Sequence, residues 1–144
     1  MKRCILARGT KPLRNGLRNP KDYPFWKELE DTLCTDAYRQ KVILINIEKE
    51  LPLPELRAVL LEADIIITVD SFIQHYCWSI GKRCVVLFGK SDPDIFGHRE
   101  NINVLKDRKY LRPDQFNTWE ETSYNSEAFV TPDVVLDIID KLLA

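Results

Sequence analysis

Residues 63–89 carry the clearest hydrophobic pattern in the chain. Two short apolar runs rich in β-branched residues, Ile65–Val69 (with a single Thr68) and 84–88, flank a stretch of mixed polarity and are followed by Gly89. Runs of this length and composition predict buried strands, and the stretch between them predicts a helix, giving a parallel βαβ unit. A turn carrying Asp70 and Ser71 opens the helix, and Gly81-Lys82 breaks it. Within it, Phe72, Ile73, Tyr76, Cys77 and Ile80 recur at helical spacing and are expected to form one buried stripe, whereas Ser71, His75 and Trp78 share another face.

The same pattern extends in both directions. A first strand is predicted over 4–7, and a helix over 23–34 with Phe25 or Trp26, Leu29 and Leu33 inward and Pro24 in its first turn. The run 41–47 is almost entirely apolar, which predicts a strand covered on both faces. A helix from Leu53-Pro54 buries Leu56, Val59, Leu60 and Ala63, and a short strand lies near 102–105. Thr131-Pro132-Asp133 is expected to cap a last helix whose Val134, Val135, Ile138, Ile139 and Leu142 return to the sheet. Strands and helices alternate, so the fold class is α/β: one three-layer, doubly wound, Rossmann-like domain with a mainly parallel sheet spanning 1–144. Residues 107–129 hold charges and scattered aromatics without a period, and are expected to be either functional or poorly ordered.

Composition narrows the function classes. Twenty-one Lys and Arg stand against 22 Asp and Glu in 144 residues, which gives no net-charge case for nucleic acid or an anionic membrane. Cys4, Cys34, Cys77 and Cys84 have no metal spacing and read as reduced residues of a cytoplasmic protein. No apolar run is long enough for a membrane span or a signal-peptide core. The dinucleotide fingerprint, the P-loop, the HExxH zinc motif and the hydrolase nucleophile elbow are all absent, so no metal is expected.

Ligands of doubly wound sheets gather where strand C-termini meet helix N-termini. Asp70, Ser71 and the turn Gly89-Lys90-Ser91-Asp92 fall on that edge. An anion there would gain about 0.3–1 kcal/mol from the dipole of the helix that follows. The alternative is that Asp70 or Ser71 caps this helix and that His75 lies on the surface. After the first strand, Gly9 and Thr10 lead into a loop with Lys11, Arg14, Arg18 and Lys21, and Arg8 precedes it. Such a loop suits phosphate, and suits solvent equally.

Taken in order, the first strand, the Gly9-Thr10 loop, Lys21-x-Tyr-Pro24, the Ala63-Asp64-Ile-Ile-Ile-Thr-x-Asp70-Ser71 run, His75, Gly81-Lys82 and Leu87-Phe88-Gly89-x-Ser91-Asp92-Pro93 carry a resemblance. The whole chain resembles the C-terminal half of the heptosyltransferase family, GT-B-fold glycosyltransferases that use ADP-heptose in lipopolysaccharide synthesis. In that family this half binds the nucleotide-sugar donor. The resemblance implies that Ser71 and the backbone after Asp70 meet the phosphates, with His75 nearby on the same helix. It further implies that Lys21 neutralises a phosphate oxygen, that Thr10 lines the loop, and that Asp92-Pro-Asp94 is structural despite its DxD spacing. The nucleotide-sugar, which the resemblance implies is ADP-linked, is then a substrate, and no cofactor is expected.

Two departures bear on activity. The family pattern has Gly-Pro after Asp-Ser, where this chain has Phe72-Ile73, and glycine is the residue that lets a backbone approach phosphate closely. The family's acceptor domain has no counterpart in this sequence, so transfer is expected to need an acceptor-domain partner or self-association. Catalytic residues are not assigned. The competing expectations are a nucleotide or nucleotide-sugar binding module without chemistry, and a protein-interaction domain using the aromatics between Tyr110 and Phe129.

Overall fold

The computed structural model describes residues 1–144. Its strands are β1 (Lys2–Ala7), β2 (Val42–Ile47), β3 (Ile65–Val69), β4 (Val85–Phe88) and β5 (Ile102–Leu105). Its helices are α1 (Trp26–Leu33), α2 (Asp36–Arg39), α3 (Leu53–Glu62), α4 (Phe72–Ser79), α5 (Pro93–Phe96) and α6 (Pro132–Leu143). All five strands are parallel, in the order β2-β1-β3-β4-β5. The side on which successive strands are added changes between β1 and β3, and this is the switch point at which such sheets bind ligands.

Period-two alternation sorts the apolar residues into two layers. Cys4, Leu6, Ile65, Ile67, Val69, Val85 and Leu87 face one side, where Trp26, Leu29 and Leu33 of α1 meet Val135 and Ile139 of α6. Ile5, Ala7, Ile66, Val86 and Phe88 face the other, against Leu56 and Leu60 of α3 and Ile73 and Cys77 of α4. The thiols of Cys4, Cys77 and Cys84 are buried within these layers and all four cysteines are free. Burial pushes the Cys4 thiol up to about 12, which keeps it protonated and unreactive.

Several expectations are corrected by packing. The strand at 42–47 is covered on both faces only in part: Val42 and Leu44 join one layer and Ile45 and Ile47 the other, but it is a sheet edge paired only with β1, and Ile43 is 40% exposed. Helix α1 begins at Trp26 rather than near Tyr23, because Tyr23 turns fully into the core and its hydroxyl donates to the Val130 carbonyl at 2.9 Å. Phe72 leaves the buried stripe of α4 and is 57% exposed, while Gln74, which the pattern leaves unassigned, is buried. Thr131 occupies the N-cap position of α6 without a capping bond, since its hydroxyl is engaged with the Asp133 carboxylate. Val134 of that helix stays 39% exposed.

Residues 107–129 are ordered by tertiary contacts in place of regular structure. They hold three 3-10 turns, Arg108–Tyr110, Trp119–Glu121 and Ser126–Ala128. Buried Gln115 ties this segment to the turn after β4: it accepts from the Asp92 N–H and donates to the Lys90 carbonyl, each at 2.9 Å. The aromatics here do not form an exposed patch. Phe129 is buried, Trp119 and Tyr124 are half-buried against cations, and Phe116 alone stands well out at 78% exposure.

Candidate functional site

Register sets the site. Leu6 lies opposite Ile67, which brings the ends of β1 and β3 level, so the Gly9 loop reaches the start of α4. Gly9 has φ +67°, and a Cβ there would sit 2.5 Å from the Ser71 hydroxyl oxygen. Only glycine can lie so close in that conformation. The Ser71 oxygen is thereby buried beneath the loop, with no hydrogen-bond partner and no capping bond to α4.

Asp70 is 3% exposed and heads the site. One carboxylate oxygen accepts from the Gln74 side-chain amide at 2.7 Å, an i,i+4 pair across the first turn of α4. The other lies 3.4 Å from the Lys21 ammonium, an ion pair that lacks hydrogen-bond geometry and leaves this oxygen without a donor. The hydroxyl of Thr68 and the amide oxygen of Gln74 are likewise buried without partners. Four unpaired polar oxygens therefore converge where β3 runs into α4, a concentration that a folded core tolerates only with a reason.

Lys21 is three-quarters buried, between Asp70 and the indole of Trp119, whose centroid lies 4.7 Å from the ammonium. Thr10 donates to Asp22 at 3.3 Å and separates two clefts. One, of about 320 Å³, opens toward α3 and α4 and is lined by Thr10, Ile47, Leu51, Leu56, Phe72 and Ile73 among others. The other, of about 330 Å³, lies between the basic loop and α1 and includes Arg8, Lys11, Arg18, Trp26 and Lys27.

His75 points away from the buried stripe, as its spacing predicts, and its Nδ1 shares a 2.8 Å hydrogen bond with Nε2 of His98. The His98 ring in turn stacks on Trp78 at 4.7 Å. Desolvation holds His75 below the ordinary histidine value, aided by His98 and Lys21 and opposed by Asp70. It thus lies within electrostatic reach of both members of the Lys21–Asp70 pair.

Gly89 and Ser91 lie on the same sheet edge with contacts of their own. A Cβ on Gly89 would meet the Phe129 ring at 2.6 Å, and Ser91 is 2% exposed. Asp92 caps α5 by accepting from the Asp94 N–H and is gripped by two nitrogens of Arg108, at 2.7 and 3.1 Å. The Arg108 guanidinium holds the Asp92 carboxyl below the usual carboxylate range. No group of three or more metal-ligating side chains occurs in the chain.

Thr10, Lys21, Asp70, Ser71 and His75 are therefore gathered around the switch point, whereas Gly89 and Ser91 lie farther along the same sheet edge, after β4. Gln74 and Trp119 are the participants that sequence spacing misses. Gln74 carries a faint local signal, its i+4 relation to Asp70. Trp119 carries none, because nearly a hundred residues separate it from Lys21.

A family model described as Glycosyltransferase family 9 (heptosyltransferase) matches residues 19–121, well over half of the chain. That span takes in Lys21, Asp70, Ser71, His75, Gly89, Ser91 and Trp119, and Thr10 precedes it. No curated protein and no solved structure matches.

Proposed function

Because the chain belongs to glycosyltransferase family 9, the heptosyltransferase family, we propose that the β1/β3 switch point binds the diphosphate of a nucleotide-sugar donor. The five-stranded parallel sheet is consistent with one Rossmann-like half of a GT-B glycosyltransferase. The observation that carries the proposal is the state of Lys21. Its ammonium lies 3.4 Å from Asp70 without a hydrogen bond, three-quarters buried at the sheet edge whose Gly9 and Thr10 line a 320 Å³ cleft. A cation held beside its carboxylate without a hydrogen bond keeps N–H groups free to bridge Asp70 and a phosphate oxygen.

In this reading the N–H groups of the first turn of α4 face the same anion, and the Thr10 hydroxyl lines the approach. The apolar wall formed by Leu51, Leu56 and Phe72 takes the uncharged part of the donor. In transfer an acceptor hydroxyl oxygen bonds to the sugar's anomeric carbon as the bond from that carbon to the diphosphate oxygen breaks; the hydroxyl proton leaves to a base presented with the acceptor, and negative charge develops on the departing nucleoside diphosphate. Lys21 stabilises that charge. The acceptor, and any partner that presents it, belong to this proposal in the same way.

A second reading is binding without transfer. Phe72 favours it, since a bulky, half-exposed side chain stands at the first position of α4 where the family has glycine.

Calorimetric titration with ADP, UDP, GDP, CMP and their sugar conjugates tests the site. One base class should bind saturably, and Lys21→Met should weaken the binding about a hundredfold. At 100 times the dissociation constant, the ligand should stabilise the fold by about 2.7 kcal/mol. Absence of binding by any of these, or undiminished binding by the variant, would refute the assignment.

A further inference from the structure

We propose that Trp119 is a positioning residue of the donor site, its indole holding the Lys21 ammonium where a donor phosphate needs it. This rests on the reading of Lys21 as the phosphate cation. A lysine on a flexible four-carbon stem gains nothing from being near a site unless something confines it. Here the ammonium has two neighbours, the Asp70 carboxylate at 3.4 Å and the Trp119 ring at 4.7 Å. The carboxylate neutralises it, and the ring attracts it without accepting a conventional hydrogen bond. The three N–H groups thus remain available to phosphate oxygens while water is kept from one side.

An indole can do this only if it is itself fixed, and Trp119 sits on a three-residue 3-10 turn. Its brace is Arg112, 7% exposed, whose guanidinium carbon lies 3.5 Å from the indole centroid. Arg112 is pinned in turn: it donates to the Gln115 carbonyl at 2.8 Å, the Thr118 carbonyl at 3.3 Å and the Thr122 hydroxyl at 3.2 Å. Asp70 acts favourably on both cations that share the ring, which moderates their repulsion.

The chain on either side of Trp119 is latched to the loop that carries Lys21. Arg14 pairs with Glu120 at 3.2 Å, Arg18 lies over the Tyr124 ring at 4.1 Å, and the Tyr124 hydroxyl donates to the Asp22 carbonyl at 3.0 Å. Ring, brace and latch hold Lys21 beside Asp70 with N–H groups free for an incoming anion. Segment 107–129, without a role in the sequence pattern, gains one as a wall of the site.

The test compares wild type, Trp119→Phe, Trp119→Leu, Lys21→Met and the double variant Trp119→Leu/Lys21→Met by two readouts. The first is the proton–carbon spectrum of the lysine ε-methylenes in ligand-free protein. The signal that Lys21→Met removes should be shifted upfield by the indole, should stay shifted in Trp119→Phe, and should join the other lysines in Trp119→Leu. The second is affinity for inorganic pyrophosphate, a probe that needs no base. Trp119→Leu should weaken it about tenfold, Trp119→Phe should restore most of it, and the double variant should be no worse than Lys21→Met alone. Thermal midpoints report whether each variant folds.

An unshifted Lys21 signal in wild type, unchanged affinity in Trp119→Leu, or additive losses in the double variant would overturn the role. A shifted Lys21 signal with no pyrophosphate binding by wild type would refute the donor-site reading, and the positioning role with it, while the pairing itself would stand. Binding abolished by Lys21→Met but untouched by Trp119→Leu would leave the donor site intact and remove only Trp119.

Discussion

At Gly9 one residue joins the first strand to the start of α4. Two costs bear on any side chain there, the positive φ of 67° and the 2.5 Å approach to the Ser71 oxygen. Gly81 separates them, because it has φ +76° and nothing within 4 Å of a built Cβ. Gly81→Ala should therefore cost about 1 kcal/mol, and Gly9→Ala about 2–3 kcal/mol, in urea unfolding with unchanged slope. Equal losses would mean that the loop yields and that the close approach is not a constraint. At this scale the sequence is only partly legible. Gly9, Thr10, Asp70 and Ser71 can be placed on one edge from strand order, because strand ends fix them, whereas Lys21, far along the loop after β1, is brought to it only by the family resemblance. That Tyr23 enters the core cannot be read locally, since its hydroxyl partner, the Val130 carbonyl, is 107 residues away.

At the scale of elements, α4 and the turn that follows the short α5 are joined by a hydrogen bond between His75 and His98. That bond needs one ring nitrogen to accept, so protonation of both rings breaks it. His75 is held below its ordinary value, so the folded chain binds this proton less well than the unfolded chain does. Its contribution to stability is then full above the ordinary histidine value near 6.5 and is lost as pH falls through that value toward the lowered one. The groups acting on it are His98 and Lys21, which lower it, and Asp70, which raises it. Thermal midpoints of wild type should fall between pH 7 and pH 5 more steeply than those of His75→Gln. Parallel profiles would show that the pair does not couple to folding.

Periodicity locates β3, α4 and β4 well because their burial follows it. It fails for β2 and for Phe72. An apolar run looks the same at a sheet edge as at its centre, and the first residue of α4 opens onto a cleft where the stripe alone would bury it.

Across the whole molecule, the sheet supplies the switch point and residues 107–129 supply the far wall of the site. The absence of periodicity in that segment is consistent with its being held by Gln115, Arg112 and the basic loop, contacts that a linear pattern does not encode. Family membership was legible, since Asp70-Ser71, His75 and the Gly89-x-Ser91-Asp92-Pro93 turn are local motifs at fixed spacing. No helix is long and apolar enough to cross a membrane.

The central claim is that a donor's diphosphate binds at the β1/β3 edge, and chemical-shift mapping of the isotopically labelled protein tests it most directly. Titration with the bound nucleoside diphosphate should move the amide signals of Thr10, Lys21, Phe72 and Ile73, together with the indole N–H of Trp119. The result that would contradict the account is an absence of saturable shifts with every nucleotide, or shifts confined to the opposite edge, around the cleft lined by Met1, Lys2, Lys41, Asp64 and Leu143.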